Sequence, residues 1–312
     1  VVKTIAKLFF FLGTFIVIQA QDFTIVPLGV RGGLQEGNMS SYLITANREK
    51  GYLCLDAGTL YTGASKLVGK GDAAAFFIKN EIKAYYISHP HFDHIAGLVI
   101  NSPIDKKKKI YTTSYVIKSF KKDIFNGVTW ANFGNEGAEP VLSKYEYVNT
   151  DGGQWFDLSD LSLSIKSFSL SHDGIGKSSG VLIKNKKENY FLYLGDTGAD
   201  KIEHSTELKS LWENVSALVK NKQLKGIAIE CSFDDHQPEN LLFGHFTPNL
   251  LYGELSNLER LSGGDLNGLK IIITHIKPKK DIVKTIKKEL KEKFKHKNVE
   301  IIIAKQGKYI NL

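Results

Sequence analysis

Three histidines and an aspartate crowd into the stretch Ser88-His89-Pro90-His91-Phe92-Asp93-His94, which follows the apolar run Ala84-Tyr85-Tyr86-Ile87 and opens into Ile95-Ala96-Gly97-Leu98-Val99-Ile100. Packing does not account for such a density, because each polar group left unpaired out of water costs roughly 1–3 kcal/mol. Metal binding does. Pro90 biases His89 towards an extended backbone, so His89 and His91 can project from one side of the chain as an i, i+2 pair and grip one ion. Asp93 and His94 fall at the turn into the next segment, where their side chains can face a second ion. Imidazoles with a carboxylate suit zinc, with manganese and iron as alternatives. A surface histidine cluster is the competing reading, and the weaker one.

The elements that must position these groups are read from periodicity. Residues 23–29 predict a strand, 32–40 a loop, and 41–44 with 51–55 a hairpin ending in Asp56-Ala57-Gly58-Thr59, where the acid braces a nearby loop or caps a helix. Helices are expected over 60–69 and 71–80, and a short buried strand over 85–87 delivers the histidine motif. Ser114 to Phe125 has an amphipathic helical pattern, and the lysine run 106–109 reads as a solvated turn. Trp130, Phe133 and Trp155 suit either a substrate-facing loop or a local cluster. Strand signals resume at 163–168, and 180–183 pairs naturally with 190–194. These runs lead to Ser171-His172-Asp173-Gly174 and Gly195-Asp196-Thr197-Gly198. Helix 205–220, strand 225–231, helix 247–260, strand 269–273 ending in Thr274-His275, a lysine-rich helix and strand 299–304 complete the chain. Strands that each end in a polar residue, with helices between them, predict an α/β architecture of two packed sheets with helices outside. No repeat or compositional break divides residues 21–312, so a single domain is expected.

The chain has 312 residues, of which 42% are apolar, enough for a substantial core. Lys3 and Lys7 precede the apolar run Leu8 to Ile18, and small Ala20 follows. That pattern predicts a signal peptide over residues 1–20, cleaved before Gln21, and an exported protein, periplasmic or extracellular. The apolar run is about half of the roughly 20 residues that a spanning helix needs, so no stable membrane anchor is expected. The formal charge is +8, and loss of Lys3 and Lys7 lowers it by two. Much of the excess lies in 277–297, where lysine without interleaved arginine or exposed aromatics reads as a solvated helix face rather than a nucleic-acid or anionic-membrane surface. Its positive field would still help to draw in an anionic substrate. Cys54 and Cys231 both lie in strand-like runs, so buried free thiols are expected rather than a disulfide.

The order His89, His91, Asp93, His94, then His172, Asp196 and His275 resembles the metallo-β-lactamase superfamily, whose four-layer αββα sandwich holds two metals at the sheet edges. By that resemblance His89, His91 and His172 hold the first ion, Asp93, His94 and His275 the second, and Asp196 bridges them. Two divalent ions, zinc being the expected metal, together lower the pKa of a bridging water so that hydroxide exists at neutral pH. The run His89 to Pro103, closing on Ser102-Pro103, is similar to the signature of the class II 3′,5′-cyclic-nucleotide phosphodiesterases. Tyr193 to Gly198, Ile229 to Phe233 and Leu242 to Pro248 resemble later blocks of the same family. Phe92 stands where that family usually has leucine, a change expected to affect packing only. The resemblance implies hydrolysis of 3′,5′-cyclic AMP, and of cyclic GMP as well, to the 5′-monophosphate by a metal-bridging hydroxide. It also implies a catalytic role for Asp93 and a proton donor in His245 supported by Glu230; a core histidine bonded to backbone is the plain alternative. Asp56 would orient ligands, and Ser178 and Ser179 either line the phosphate pocket or serve a turn. His204, His236 and His296 read as surface residues. Rival functions are a lactonase, β-lactamase or RNA-processing nuclease on the same fold, and a non-catalytic nucleotide-binding protein.

Overall fold

A computed structural model describes residues 21–46 and 49–312. The expected signal peptide lies outside the described residues. The first half supplies β1 (Phe23–Gly29), β2 (Ser41–Ala46), β3 (Tyr52–Leu55), α1 (Tyr61–Val68), α2 (Asp72–Glu81), β4 (Ile82–Tyr86), α3 (Phe92–Asn101), β5 (Lys108–Thr112), α4 (Ser114–Ser119) and β6 (Tyr145–Asn149). The second half supplies β7 (Phe156–Leu158), β8 (Leu163–Ser171), β9 (Ile175–Asn185), β10 (Tyr190–Leu194), α5 (Asp200–Glu203), α6 (Glu207–Lys220), β11 (Leu224–Glu230), α7 (Pro248–Leu261), β12 (Lys270–Thr274), α8 (Ile282–Lys293), β13 (Glu300–Ile303) and β14 (Ile310–Asn311). Two seven-stranded sheets result, ordered β14-β1-β2-β3-β4-β5-β6 and β13-β12-β11-β10-β9-β8-β7.

Strand alternation sorts the side chains into layers. In β12, Ile271 and Ile273 point to one face, where they pack with Leu255 of α7 and Ile286 of α8. Ile272 between them points the other way, into the layer shared by both sheets with Ile25, Ile44, Val181 and Phe191. The outer face of the first sheet is covered likewise, Cys54, Tyr85 and Ile110 meeting Ala64 of α1, Ile78 of α2 and Leu98 of α3. Being buried on both faces, these strands read as continuous apolar runs rather than as alternating ones. The four layers are the αββα sandwich that the sequence led us to expect. Both cysteines are buried and free. Among the described residues no helix is long and apolar enough to cross a membrane.

Two expectations need correction, and a third, open between two readings, is narrowed. The lysine run 106–109 is not a solvated turn throughout, because Lys108 begins β5 and is buried. Its amine donates to the Ile78 carbonyl at 2.7 Å and to the Asp105 carboxylate, which also accepts from the hydroxyls of Tyr85 (2.8 Å) and Tyr145 (2.9 Å). A charge with that many partners can leave water. Trp130, Phe133 and Trp155 make local contacts: the Trp130 Nε1–H donates to Ser102 Oγ at 3.0 Å, and the Phe133 ring lies 6.0 Å from that of Phe125. Trp155 packs 6.2 Å from Tyr190. Phe92 does not alter packing, since its ring is 68% exposed at the start of α3.

Candidate active site

Strand register gathers the polar residues on one edge. Leu55 of β3 lies opposite Tyr86 of β4, so Asp56 and Ser88 leave their strands side by side. The Ser88 N–H donates to Asp56 Oδ1 and its hydroxyl to Oδ2, both at 2.7 Å. In the second sheet Glu230 pairs with Thr274, the residue before His275, and Tyr193 pairs with Ala228, which brings Asp196 to the same edge. The C-terminal ends of parallel strands are where an open α/β sheet exposes its crevice. His91 caps α3, and Asp93 sits in its first turn, where the helix dipole favours a carboxylate. Gly32 and Gly58 permit close approach: a Cβ at Gly32 would meet the His275 ring at 2.4 Å, and one at Gly58 the Asp93 carbonyl oxygen at 1.9 Å.

Two groups of ligand atoms face each other across Asp196. His89, His91 and His172 form one, and Asp93, His94, Asp196 and His275 the other. Two ligands held about 2.0–2.1 Å from one tetrahedral ion stand roughly 3.3 Å apart. The spacings fit this. His172 Nε2 is 3.4 Å from His91 Nδ1, His94 Nε2 is 3.3 Å from Asp196 Oδ1, and His275 Nε2 is 3.1 Å from Asp93 Oδ2. Asp196 Oδ2 lies 3.0 Å from His275 Nε2 and also 3.7 Å from His89 Nε2 and 3.9 Å from His172 Nε2, so it reaches both groups. The Nε2 atoms of His89 and His94 are buried without a hydrogen-bond partner among the described residues. Such orphaned atoms, aimed at a shared carboxylate, are what a divalent ion would satisfy.

The opposite nitrogen is tied down in four of the five rings, all but the half-exposed His91, which fixes their tautomer. His94 Nδ1–H donates to Asp56 at 2.8 Å, and His172 Nδ1–H to the Gly244 carbonyl at 3.0 Å. His89 Nδ1 and His275 Nδ1 each reach a carboxylate through a serine. The first bonds Ser88 Oγ at 2.9 Å, whose hydroxyl goes on to Asp56, and the second bonds Ser232 Oγ at 2.9 Å, whose hydroxyl goes on to Glu230 at 2.5 Å. Asp56 is fully buried and takes a fourth bond from the Tyr193 hydroxyl at 2.6 Å, which fills its accepting capacity. Burial, with His94 nearby, holds His89 well below the usual imidazole range, and burial lowers His91 and His275 too. A ligand imidazole must be neutral. His94 differs: burial would lower it, but Asp196, Asp56 and Asp93 outweigh burial and raise it.

Beside Asp196 lies a third group, in which Glu230 and His245 join Asp196 and His275. Glu230 Oε1 is only 2.6 Å from His245 Nδ1. That is a hydrogen bond, too short for an ion to sit between the two atoms. Burial opposes charge on His245, but Glu230 and then Asp196 outweigh it and raise the imidazole above its ordinary range. The same pairing lowers Glu230 against its own burial. His245 is thus a buried, readily protonated imidazole with Nδ1 committed and Nε2 available. Its Nδ1 bonds a carboxylate and not backbone, and its ring stacks on that of His275 at 5.1 Å, so a backbone-bonded core histidine is not what this position holds.

All of the expected ligand residues are brought together. Ser178 and Ser179 are not on a turn but inside β9, both buried. Ser179 donates to the Ser88 carbonyl at 2.8 Å and accepts from Tyr86, so it braces the strand end beneath His89 rather than lining a pocket. His204, His236 and His296 are exposed. Sequence reasoning missed the roles of Ser88, Ser232 and Tyr193. Their nearness in the chain to His89, Glu230 and Asp196 was the only available signal, since the bonds from Ser88 and Tyr193 to Asp56, and from Ser232 to His275, join distant parts of the chain.

Comparison with known proteins agrees with this geometry. A family model for class-II cAMP phosphodiesterases matches residues 68–307. A 3′,5′-cyclic-nucleotide phosphodiesterase of Aliivibrio fischeri is 38% identical over 93% of this chain and 92% of its own length. A probable 3′,5′-cyclic-nucleotide phosphodiesterase of Yersinia pestis is 37% identical over 91% of this chain and 88% of its own. The crystal structure of unliganded yeast PDE1 superposes with a TM-score of 0.82 at 24% identity, covering 94% of this chain and all of that one. The metallo-β-lactamase fold protein YhfI from Bacillus subtilis follows at a TM-score of 0.64 and 17% identity over 94% of this chain and all of that one. These last two likenesses establish the fold.

Proposed function

The chain belongs to the class-II cAMP phosphodiesterase family, and from that premise we propose that it hydrolyses 3′,5′-cyclic AMP, and cyclic GMP with it, to the nucleoside 5′-monophosphate. The observation that carries the reading is the convergence of two facing ligand groups on Asp196 with the Glu230–His245 pair alongside. In this reading His89 Nε2, His91 Nδ1 and His172 Nε2 hold one ion, Asp93, His94 Nε2 and His275 Nε2 hold the other, and Asp196 serves both. The nitrogen-rich set favours zinc. Bound there, two divalent ions supply a water acidic enough to attack phosphorus at neutral pH and positive charge against the phosphoryl oxygens.

The rest of the chemistry belongs to the side chains. Asp56, Ser88, Ser232 and the Gly244 carbonyl hold four imidazoles in the tautomer that leaves the inner nitrogen bare. His245 keeps its Nδ1 proton on Glu230 and presents Nε2–H to the departing 3′-oxygen, while Glu230 stabilises the positive ring until the proton is given up. The test is incubation of metal-loaded protein with cyclic AMP, cyclic GMP, a β-lactam, a lactone and a structured RNA, with the cyclic nucleotides also run in isotopically labelled water. Formation of 5′-AMP with solvent oxygen on phosphate is expected; 3′-AMP, or turnover of the other substrates alone, refutes the reading. We also propose export after cleavage before Gln21, on the strength of Lys3, Lys7 and the apolar run 8–18. N-terminal sequencing of the exported protein checks this, and an intact Val1 in the membrane fraction contradicts it.

A further inference from the structure

The connection between β11 and α7 carries an aromatic side chain whose placement folding does not explain. Phe243 is 64% exposed and has φ +52, in the left-handed region that a bulky side chain rarely adopts. Its neighbours behave differently. Leu242 and Phe246 are buried in the core, and Gly244 (φ +72) carries the carbonyl that receives His172 Nδ1–H. His245 follows at once. A Cβ at Gly244 would stand 2.6 Å from His172 Nδ1, so the backbone here lies flat against the site. The connection is closed on itself by the Phe233 N–H bonding the Phe246 carbonyl at 3.2 Å, and the Phe233 ring stands edge-on to His245, 5.9 Å away at 67°. Phe243 therefore combines backbone strain with an apolar surface left in water, two residues from the proposed proton donor. Strain kept at such a place points to use in binding.

We propose that Phe243 is a specificity-determining residue, the platform on which the purine of the substrate stacks. This rests on the phosphodiesterase reading above. With the 3′-oxygen at His245, the ribose must lie against the connection that carries His245. In this proposal the base projects outward from that connection and lies over the exposed ring of Phe243, two residues before His245. A flat purine face over an aromatic ring accepts adenine and guanine alike, because stacking reads the π-face and not the hydrogen-bonding edge. Phe243 touches only the base, so it acts on substrate binding, while His245 acts on the chemical step.

The experiment measures KM and kcat for cyclic AMP and for the corresponding ribose 3′,5′-cyclic phosphate without a base. The proteins are the metal-loaded wild type, Phe243→Ala, Phe243→Tyr and Phe243→Gly, with Phe76→Ala as control, since Phe76 is exposed to a similar degree (63%) on α2. Loss of base stacking should raise KM for cyclic AMP about 5- to 150-fold in the Ala and Gly variants. Metal content, kcat and the baseless substrate should change less than about twofold, and Phe243→Tyr should stay near wild type. Phe243→Gly relieves the left-handed strain and should also melt at a higher temperature, which a merely structural phenylalanine would not permit. An unchanged KM for cyclic AMP in Phe243→Ala overturns the proposal while leaving the phosphodiesterase reading intact. So does an equal loss on both substrates, which would mean that Phe243 acts through Gly244 and His245. A wild type that turns over neither cyclic AMP nor cyclic GMP would instead refute the parent reading.

Discussion

His245→Ala separates proton donation from metal binding, because the structure lets the imidazole go without collapse of its surroundings. Glu230 loses its 2.6 Å bond to His245 but keeps the Ser232 hydroxyl at 2.5 Å, the Thr197 N–H at 3.2 Å and the Phe246 N–H at 3.4 Å. One charge-assisted bond is lost, worth about 1.5–3 kcal/mol, against a typical folding stability of about 5–15 kcal/mol. The variant should fold, and its seven proposed metal ligands are untouched. Ribose O3′ is a poor leaving group unless protonated, so loss of the donor should cost cyclic AMP about 10²–10⁴-fold in kcat. At 1.36 kcal/mol per tenfold this is about 2.7–5.5 kcal/mol of barrier. A nitrophenolate departs without a proton, so bis(p-nitrophenyl) phosphate should lose less than about tenfold. The assay compares both substrates in His245→Ala and His275→Ala, with metal content measured on the same samples. His275→Ala removes a proposed ligand and should impair both substrates together with metal content. Equal losses on both substrates in His245→Ala with two metals still bound would refute the assignment of His245 as donor.

Further outcomes follow from other contacts. Asp196→Ala should lower the metal content of dialysed protein from two ions per chain and abolish activity, since Asp196 approaches both groups; two ions retained would contradict a shared ligand. Ser88→Ala cuts the link between His89 Nδ1 and Asp56 and should weaken metal affinity about 10–100-fold in a chelator competition, with circular dichroism unchanged. Lys108→Ala leaves Asp105 buried without its cation and should cost about 3–5 kcal/mol in urea unfolding; a loss under about 1 kcal/mol would mean that the two tyrosines suffice. Burial pushes the Cys54 thiol up to about 12 and raises Cys231 as well, so neither should react with a disulfide reagent at pH 8 until the protein is unfolded.

What the sequence disclosed depended on whether the cause was local. The chain between Ser88 and His94 carries its own signal, because an i, i+2 histidine pair and the Asp-His pair after it are visible without knowledge of any other strand. The runs around Ile272 and Leu192 announced buried strands for the same reason. His172, Asp196 and His275 were legible only as polar residues after strands, and their assembly needed the family pattern. Lys108 was misread because its counter-charge, Asp105, is buried by Tyr85 and Tyr145 from two other strands. Ser178 and Ser179 were misplaced because nothing in a pair of serines says that β9 continues through them to Ile175, or that Ser179 will meet the Ser88 carbonyl of the other sheet.

Charge accounts for why so many polar groups can share one edge. Asp56, Asp196 and Glu230 are each at most 2% exposed, and the side chain of Asp93 is 16% exposed. Four carboxylates so close together repel one another and lose hydration, a combination that would raise their pKa values and neutralise them if nothing opposed it. Asp196 and Asp93 are nonetheless held below the ordinary carboxylate range, burial being outweighed by His275 and His94 in the first case and by His94 and His275 in the second. The partners are therefore arranged to keep the acids ionised. Two of the four, Asp56 and Glu230, back the ligand rings: Asp56 bonds His94 directly and reaches His89 through Ser88, and Glu230 reaches His275 through Ser232, one relay from each sheet. Those two are satisfied by protein donors. Asp93 and Asp196 have only imidazoles facing them, and the ligand imidazoles among these already give their outer protons to the relays, to Asp56 and to the Gly244 carbonyl. With those imidazoles neutral, as metal ligands must be, the inner pair of carboxylates would lack a full counter-charge, which divalent cations held by the two facing groups of ligand atoms would supply.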